Sequence, residues 1–207
     1  MVAKVHGCVG PLFFVFVAGF ITVTSRWWQD FDVQNQRDQL QGRATKWMAL
    51  LAPVMLTVSF GQLVVGAYMR HINVDSPSKL YVMLVAIHIM TAVLIVGGTL
   101  LQWFLSRRSQ VRGSGVRSSI NLLGLLVLVQ FGLGLTTWVV KFGWPAMMSD
   151  QRFAANYVVA EKSFPQMNLV TAHVAVGSLI LVFWTIHALR CRRSYHATAR
   201  LTLTTTP

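Results

Sequence analysis

Five apolar stretches, each about as long as a membrane-crossing helix, are separated along the chain by short polar segments. The first covers about Val5–Thr24, the second about Trp47–Met69 and the third about Tyr81–Leu105. The fourth runs about Ser118–Val140 and the fifth about Asn168–Leu189. Crossing a hydrocarbon core of about 30 Å takes roughly 20 apolar residues as helix, and each stretch meets that length. Strands of a membrane barrel would alternate apolar and polar positions over about ten residues, and no such alternation occurs. The pattern predicts an all-α, polytopic membrane helix bundle with five transmembrane helices. The first stretch does not read as a signal peptide. Only Lys4 precedes it, and Arg26-Trp27-Trp28 follows in place of a small-residue cleavage site.

Composition supports the membrane reading. Of 207 residues, 54% are hydrophobic and 12% charged, against about a quarter charged in a soluble domain. The mean hydropathy is +0.54, which argues against an ordinary water-soluble enzyme. A net charge of +12 would suit a nucleic-acid binder, but its basic residues sit in clusters between the apolar runs. Twelve fall on one side of the five spans: Arg26, Arg37, Arg43, Lys46, Arg107, Arg108, Arg112, Arg117, Arg190, Arg192, Arg193 and Arg200. Six fall on the other: Lys4, Arg70, Lys79, Lys141, Arg152 and Lys162. The positive-inside rule then places the N-terminus outside and the C-terminus in the cytoplasm or matrix. The membrane expected is the cell inner (cytoplasmic) membrane, or the mitochondrial inner membrane in a eukaryote. Trp27, Trp28, Trp47 and Trp103 at inner ends, and Trp138 and Trp144 at an outer end, suit interfacial anchors. The partner implied is the lipid bilayer, not nucleic acid. Cys8 and Cys191 lie at opposite ends of the chain and imply neither a disulfide framework nor a zinc site.

The loops differ in kind. Residues 25–46 form a polar, Gln-rich linker expected to carry an interfacial helix, and residues 106–117 a flexible turn. The outer segment 141–167 has breaks at Trp144-Pro145 and Phe164-Pro165, with a short helix expected over Arg152–Lys162. Residues 191–207 are expected to form a disordered tail.

Asp and Glu are absent from all five spans, so carboxylate relays are poorly supported. Histidine carries the intramembrane polar load, and such residues mark functional sites by default. His6, His88 and His173 each lie near the outer end of a span. His88 and His173 sit roughly 8–10 Å inside their helix starts at the usual helical rise. Each of the three is followed four residues later by a small residue (Gly10, Ala92, Gly177), which on a helix shares its face. That notch gives clearance to a flat macrocycle, and neutral imidazole is a standard axial ligand for haem iron. Zinc is the weaker reading, for want of a His-x-x-x-His pair or a carboxylate partner. The alternative is that the histidines are structural hydrogen-bonders. Arg70 and His71 end the second span, and two readings stand for them: an interfacial cap with a snorkelling Arg, or a contact to a haem propionate. His187 lies more than three turns from His173 and reads as interfacial, not as a ligand to the same iron.

A weak internal echo accompanies the histidines. Gln62-x-x-x-Gly66 in the second span and Gln130-x-x-x-Gly134 in the fourth each precede a loop and then a helix with an outer-end histidine. The echo suggests two helix pairs facing one cofactor.

These residues resemble a known family. The stretch Gly61-Gln62-Leu63-Val64-Val65-Gly66-Ala67-Tyr68-Met69-Arg70-His71 resembles the Gln-x-x-x-Gly-Ala-x-x-Arg-His helix end of heme A synthases, membrane proteins of cytochrome oxidase assembly. VTAHVAVGS (170–178) resembles that family's last helix, VHGCVG (5–10) the helix closing its first half, and AIHIMTA (86–92) the site of another ligand histidine. The resemblance implies two similar four-helix halves, each holding a haem between two histidines. Residues 47–190 would form the haem-binding half-bundle, with His88 and His173 as axial ligands of haem b. Residues 1–24 would be the last helix of an incomplete N-terminal half, with His6 as one ligand where haem o is the substrate, and 25–46 the linker. The rest of that half, its partner histidine, an acidic residue implicated in catalysis and the outer-loop cysteine pair are not in this sequence, so a catalytic residue is not assigned. The missing half would come from a longer chain or a second chain.

The function implied is a heme A synthase-like oxidoreductase that oxidises a methyl group of haem o to formyl. Heme O synthase and cytochrome oxidase are the associated partners. Two alternatives stand beside it: a bis-histidine b-type cytochrome electron-transfer subunit, and a non-catalytic membrane assembly factor.

Overall fold

The computed structural model describes residues 2–31, 43–72, 76–109, 115–148, 151, 154, 157–161 and 163–204. The protein is all-α. Among the described residues its helices are α1 (Val2–Thr24), α2 (Arg26–Gln29), α3 (Arg43–Arg70), α4 (Ser78–Arg108), α5 (Val116–Phe142) and α6 (Phe164–Thr204), with a 3-10 turn at Ala146–Met148. The five long helices are each long and apolar enough to cross a membrane, so the chain is a multi-pass membrane protein. Their outward faces carry large apolar side chains such as Phe13, Phe16, Met90, Val93 and Leu128, all exposed, as a lipid-facing surface requires.

Local chemistry sets the helix limits. Ser25 caps α2 by accepting from the Trp28 amide at 3.3 Å, and Gly115 opens α5 in a left-handed conformation (φ 70°). Gly143 closes α5 at φ 84°, its amide donating to the Val139 carbonyl at 2.8 Å, a turn that glycine alone adopts without strain. Pro11 and Pro53 lie inside α1 and α3, as membrane helices tolerate.

α3, α4, α5 and α6 form a four-helix bundle: α4 packs on α3 and α5, and α6 on α3 and α5. α1 lies outside this ring, mainly along α6. Gly7 of α1 approaches Ala67 of α3, and Gly19 approaches Thr185 of α6. The core is a central layer of Ala52, Met55, Ile95, Ile120, Leu123, Val127, Ile180, Trp184 and Ala188. A smaller cluster of Phe31, Met48, Ala49, Val116 and Cys191 closes one end. Gly98 lets α4 close on α3, since a Cβ there would clash with Met55 Sδ.

Three expectations change. Residues 191–204, read as disordered, continue α6 as helix, because Arg, Ala, Leu and Thr there contain no Pro or Gly to stop it. The helix expected over Arg152–Lys162 falls partly outside the described residues, and 157–160 are not helical. The interfacial helix expected in 25–46 is the single turn of α2, and residues 32–42 lie outside the described residues.

Candidate functional site

His88 on α4 and His173 on α6 sit at the bundle end where α3 and α5 terminate. Their rings face each other with centroids 6.4 Å apart and planes inclined at 54°. Each ring lies against a glycine of the preceding helix. A Cβ on Gly66 would stand 3.4 Å from His88 Cε1, and one on Gly134 would stand 3.3 Å from His173 Cε1. One turn earlier, Gln62 Nε2 donates to the His88 carbonyl at 3.0 Å, and Gln62 Oε1 accepts from the Thr91 hydroxyl. On the other pair, Gln130 Nε2 lies 3.4 Å from His173 Nε2. The echo of Gln and Gly therefore has a structural meaning: α3–α4 and α5–α6 are two similar helix pairs, each placing its Gln and Gly beside its own histidine.

Of the small residues four positions after the histidines, expected to give clearance to a flat macrocycle, Gly10 has open space beside it and Gly177 does not. A Cβ at Gly10 would meet nothing within 4 Å, and Gly177 makes room for the Gln130 amide, which would lie 3.2 Å from a Cβ there. The close approach comes from Gly66 and Gly134 instead.

The other candidates separate from this pair. His6 is exposed on α1 and does not join the two facing imidazoles, since no three His, Cys, Asp or Glu side chains gather among the described residues. Arg70 is exposed and His71 half-buried at the end of α3. The charge of Arg70 acts on Lys141 at the end of α5, so two cations lie at this end of the bundle.

His187 departs from its expected interfacial place: it is fully buried. Its Nδ1 is 2.9 Å from Ser119 Oγ, and its Nε2 is 3.4 Å from Gln102 Oε1 and 3.5 Å from Cys191 Sγ. Gln102 Nε2 in turn donates to the Met48 carbonyl at 3.2 Å. One imidazole thus joins α3, α4, α5 and α6. Gln102 lies fourteen residues beyond His88, and His187 fourteen beyond His173, so the second polar layer repeats the pairing of the first at about 21 Å along the helices. The expectation failed because α6 runs on past residue 190, so His187 is not near a helix end.

The donor set decides which group the facing pair could hold. Zinc takes four ligands, at least three of them from protein, and only two imidazoles meet here. A metal inside a macrocycle brings its own equatorial donors and asks the protein for two axial nitrogens. With 6.4 Å between ring centres, the two imidazoles stand close enough for one metal ion to be held between them. Nδ1 of both histidines is buried without a hydrogen-bond partner and turned toward its glycine, 3.9 Å from the Cβ position. Nε2 is the nitrogen turned away from the glycine in each ring. The residues present fit an axially ligated haem.

Comparison of the chain with known protein families, with characterised proteins and with solved structures finds no match.

Proposed function

We propose that this chain is a haem-binding membrane protein of the heme A synthase type, with His88 and His173 as the axial ligands of a haem b. The observation that carries the reading is the facing of these two imidazoles at 6.4 Å, supported by the glycine beside each ring. In this reading the chain supplies the cofactor half of an oxidoreductase that converts a methyl group of haem o to formyl. Heme O synthase and cytochrome oxidase are its functional neighbours. Bound haem would supply the electron-transfer and oxidation chemistry. The protein's own part is positional. Gly66 and Gly134 set the imidazole planes, Gln62 ties α3 to α4 beneath the site, and the apolar bundle keeps water from the iron. Arg70 and Lys141 stand at the same end and offer charge to the propionates, with His71 beside Arg70 in the chain. By the positive-inside rule the Arg-rich end would face the cytoplasm or matrix, with the haem site near the outer face of the cell inner membrane, or of the mitochondrial inner membrane in a eukaryote.

A second reading is favoured by one observation. His6, the ligand assigned to the substrate haem, is exposed and outside the paired site. With a single complete pair, the chain acts as a bis-histidine b-type cytochrome passing electrons.

The test is a reduced-minus-oxidised and pyridine-haemochrome spectrum of the purified chain with protein quantified. About one low-spin haem per chain, lost in His88→Ala and in His173→Ala and kept in His187→Ala, supports both readings. A folded preparation without haem overturns both. Haem o turnover in membranes holding this chain then separates the enzyme from the cytochrome.

A further inference from the structure

The end of the bundle remote from His88 and His173 holds three half-buried guanidiniums whose charge nothing described neutralises. Arg190 Nη1 donates to the Gly115 carbonyl at 2.9 Å, and its guanidinium carbon lies 5.2 Å from the Trp27 ring centre. Arg193 repeats the arrangement one turn on: Nη2 donates to the Trp28 carbonyl at 3.3 Å, over the Trp28 ring at 5.2 Å. Arg117 donates from Nε to the Ser106 carbonyl and from Nη2 to the Ser109 carbonyl, at 3.2 and 3.0 Å. Among the described residues none of the three is paired with a carboxylate. Among the described residues, Nε of Arg190 and of Arg193 is buried and has no acceptor.

Carbonyl dipoles and aromatic faces hold these cations in place but carry no net charge. Like charges three residues apart on a helix repel, and Arg190 and Arg193 sit in the interior of α6, which runs to Thr204, so the terminal dipole gives them little relief. Arg117 lies in the first turn of α5, where the dipole opposes a cation. Arg107 and Arg108 also lie over aromatic rings, but both are exposed and both end α4, where the dipole favours a cation.

We infer that Arg190 and Arg193, lying over Trp27 and Trp28, form a binding site for the phosphodiester of an anionic phospholipid in the adjacent leaflet, with Arg117 adding positive charge at the same end of the bundle. Lipid is the occupant because the site opens where the apolar, lipid-facing surface of the bundle gives way to polar segments. Tryptophan is the residue that settles at headgroup depth, and basic clusters next to spans attract anionic lipid. Arg supplies the planar donor fork that matches phosphate oxygens. The inference does not depend on the haem reading.

The test compares the melting temperature of the purified full chain, followed by tryptophan fluorescence, in phosphatidylcholine nanodiscs with and without phosphatidylglycerol. Phosphatidylglycerol raises the melting temperature by several degrees in the parent chain and in Arg107→Gln/Arg108→Gln, and this increment disappears in Arg190→Gln/Arg193→Gln. The increment between lipids is the readout, so a general loss of packing in the variant does not imitate it. An equal increment in all three proteins overturns the site. Inorganic phosphate reproducing the increment in phosphatidylcholine overturns the lipid assignment. Should the double variant not fold, the parent chain decides: delipidated and offered an equal mixture, it retains phosphatidylglycerol over phosphatidylcholine, and equal retention overturns the inference.

Discussion

His88 and His173 face each other across the bundle at 6.4 Å between ring centres, and each is held there by a glycine of the helix before it. The separation depends on those glycines. The Cβ position at Gly134 is 3.3 Å from His173 Cε1, tighter than at Gly66, where it is 3.4 Å from His88 Cε1.

Gly134→Leu therefore pushes the His173 ring out of line, and Gly66→Leu does the same to His88. If the pair ligates haem as proposed, each variant is expected to lose most of it while keeping its helical circular dichroism. Gly134→Ala, which asks the ring to give by a few tenths of an ångström, lowers occupancy more than Gly66→Ala. Haem per protein by pyridine haemochrome checks the order; full occupancy in both Leu variants would show that the rings are not the ligands.

Gln130 has the opposite effect. Its amide nitrogen lies 3.4 Å from His173 Nε2, the nitrogen a metal would take, while Gln62 is turned onto the backbone of α4. Gln130→Ala removes a contact that ligation must break, and one hydrogen bond is worth about 0.5–1.5 kcal/mol net. Haemin titration of the apo-protein is expected to show an affinity gain of up to about tenfold for Gln130→Ala and none for Gln62→Ala. A loss in Gln130→Ala would mean that the amide helps to hold the ligated state.

Much of this arrangement is legible from the chain alone. Five spans follow from apolar run length, and the depth of His88 and His173 puts both at one level before any packing is known. The repeated Gln-x-x-x-Gly marks the two helix pairs. What cannot be read is which glycine meets which ring, because the residues at i+4 share a helix face with the histidine while the clearance is needed on the neighbouring helix. The burial of His187 escapes the sequence for a related reason: its partners Ser119 and Gln102 lie on two other helices and have no spacing rule to link them. The run of α6 through residues 191–204 escapes it because polar composition hides a helix without breakers.

His187 is fully buried with hydrogen-bonding neighbours on both sides. His187→Leu leaves Gln102 and Cys191 without their imidazole partner and changes the shape of a packed layer. Lost buried hydrogen bonds and imperfect filling cost about 2–5 kcal/mol together. A clear fall in melting temperature is expected, with the haem spectrum unchanged in whatever fraction folds, since the His88/His173 layer lies about 21 Å away along the helices. A changed low-spin spectrum at unchanged stability would assign His187 to the metal instead.

Gly98 tests the packing of α4 on α3 between the two polar layers. A Cβ at this position would meet the Met55 side chain, clashing with Sδ and standing 2.6 Å from Cε and 3.1 Å from Cγ. The thioether end can swing, but Met55 belongs to the central layer with Ile95 and Trp184, so the space it would need is already filled. Gly98→Ala is expected to cost about 1 kcal/mol and Gly98→Val about 1–3 kcal/mol, the range for overpacking a dense core. The double change Gly98→Ala/Met55→Ala should cost less than the sum of Gly98→Ala and Met55→Ala, because the methyl then occupies volume that the thioether vacates. Melting temperatures of the four variants check this. Additive losses in the double variant would mean that the helices part at Gly98 and do not close on Met55.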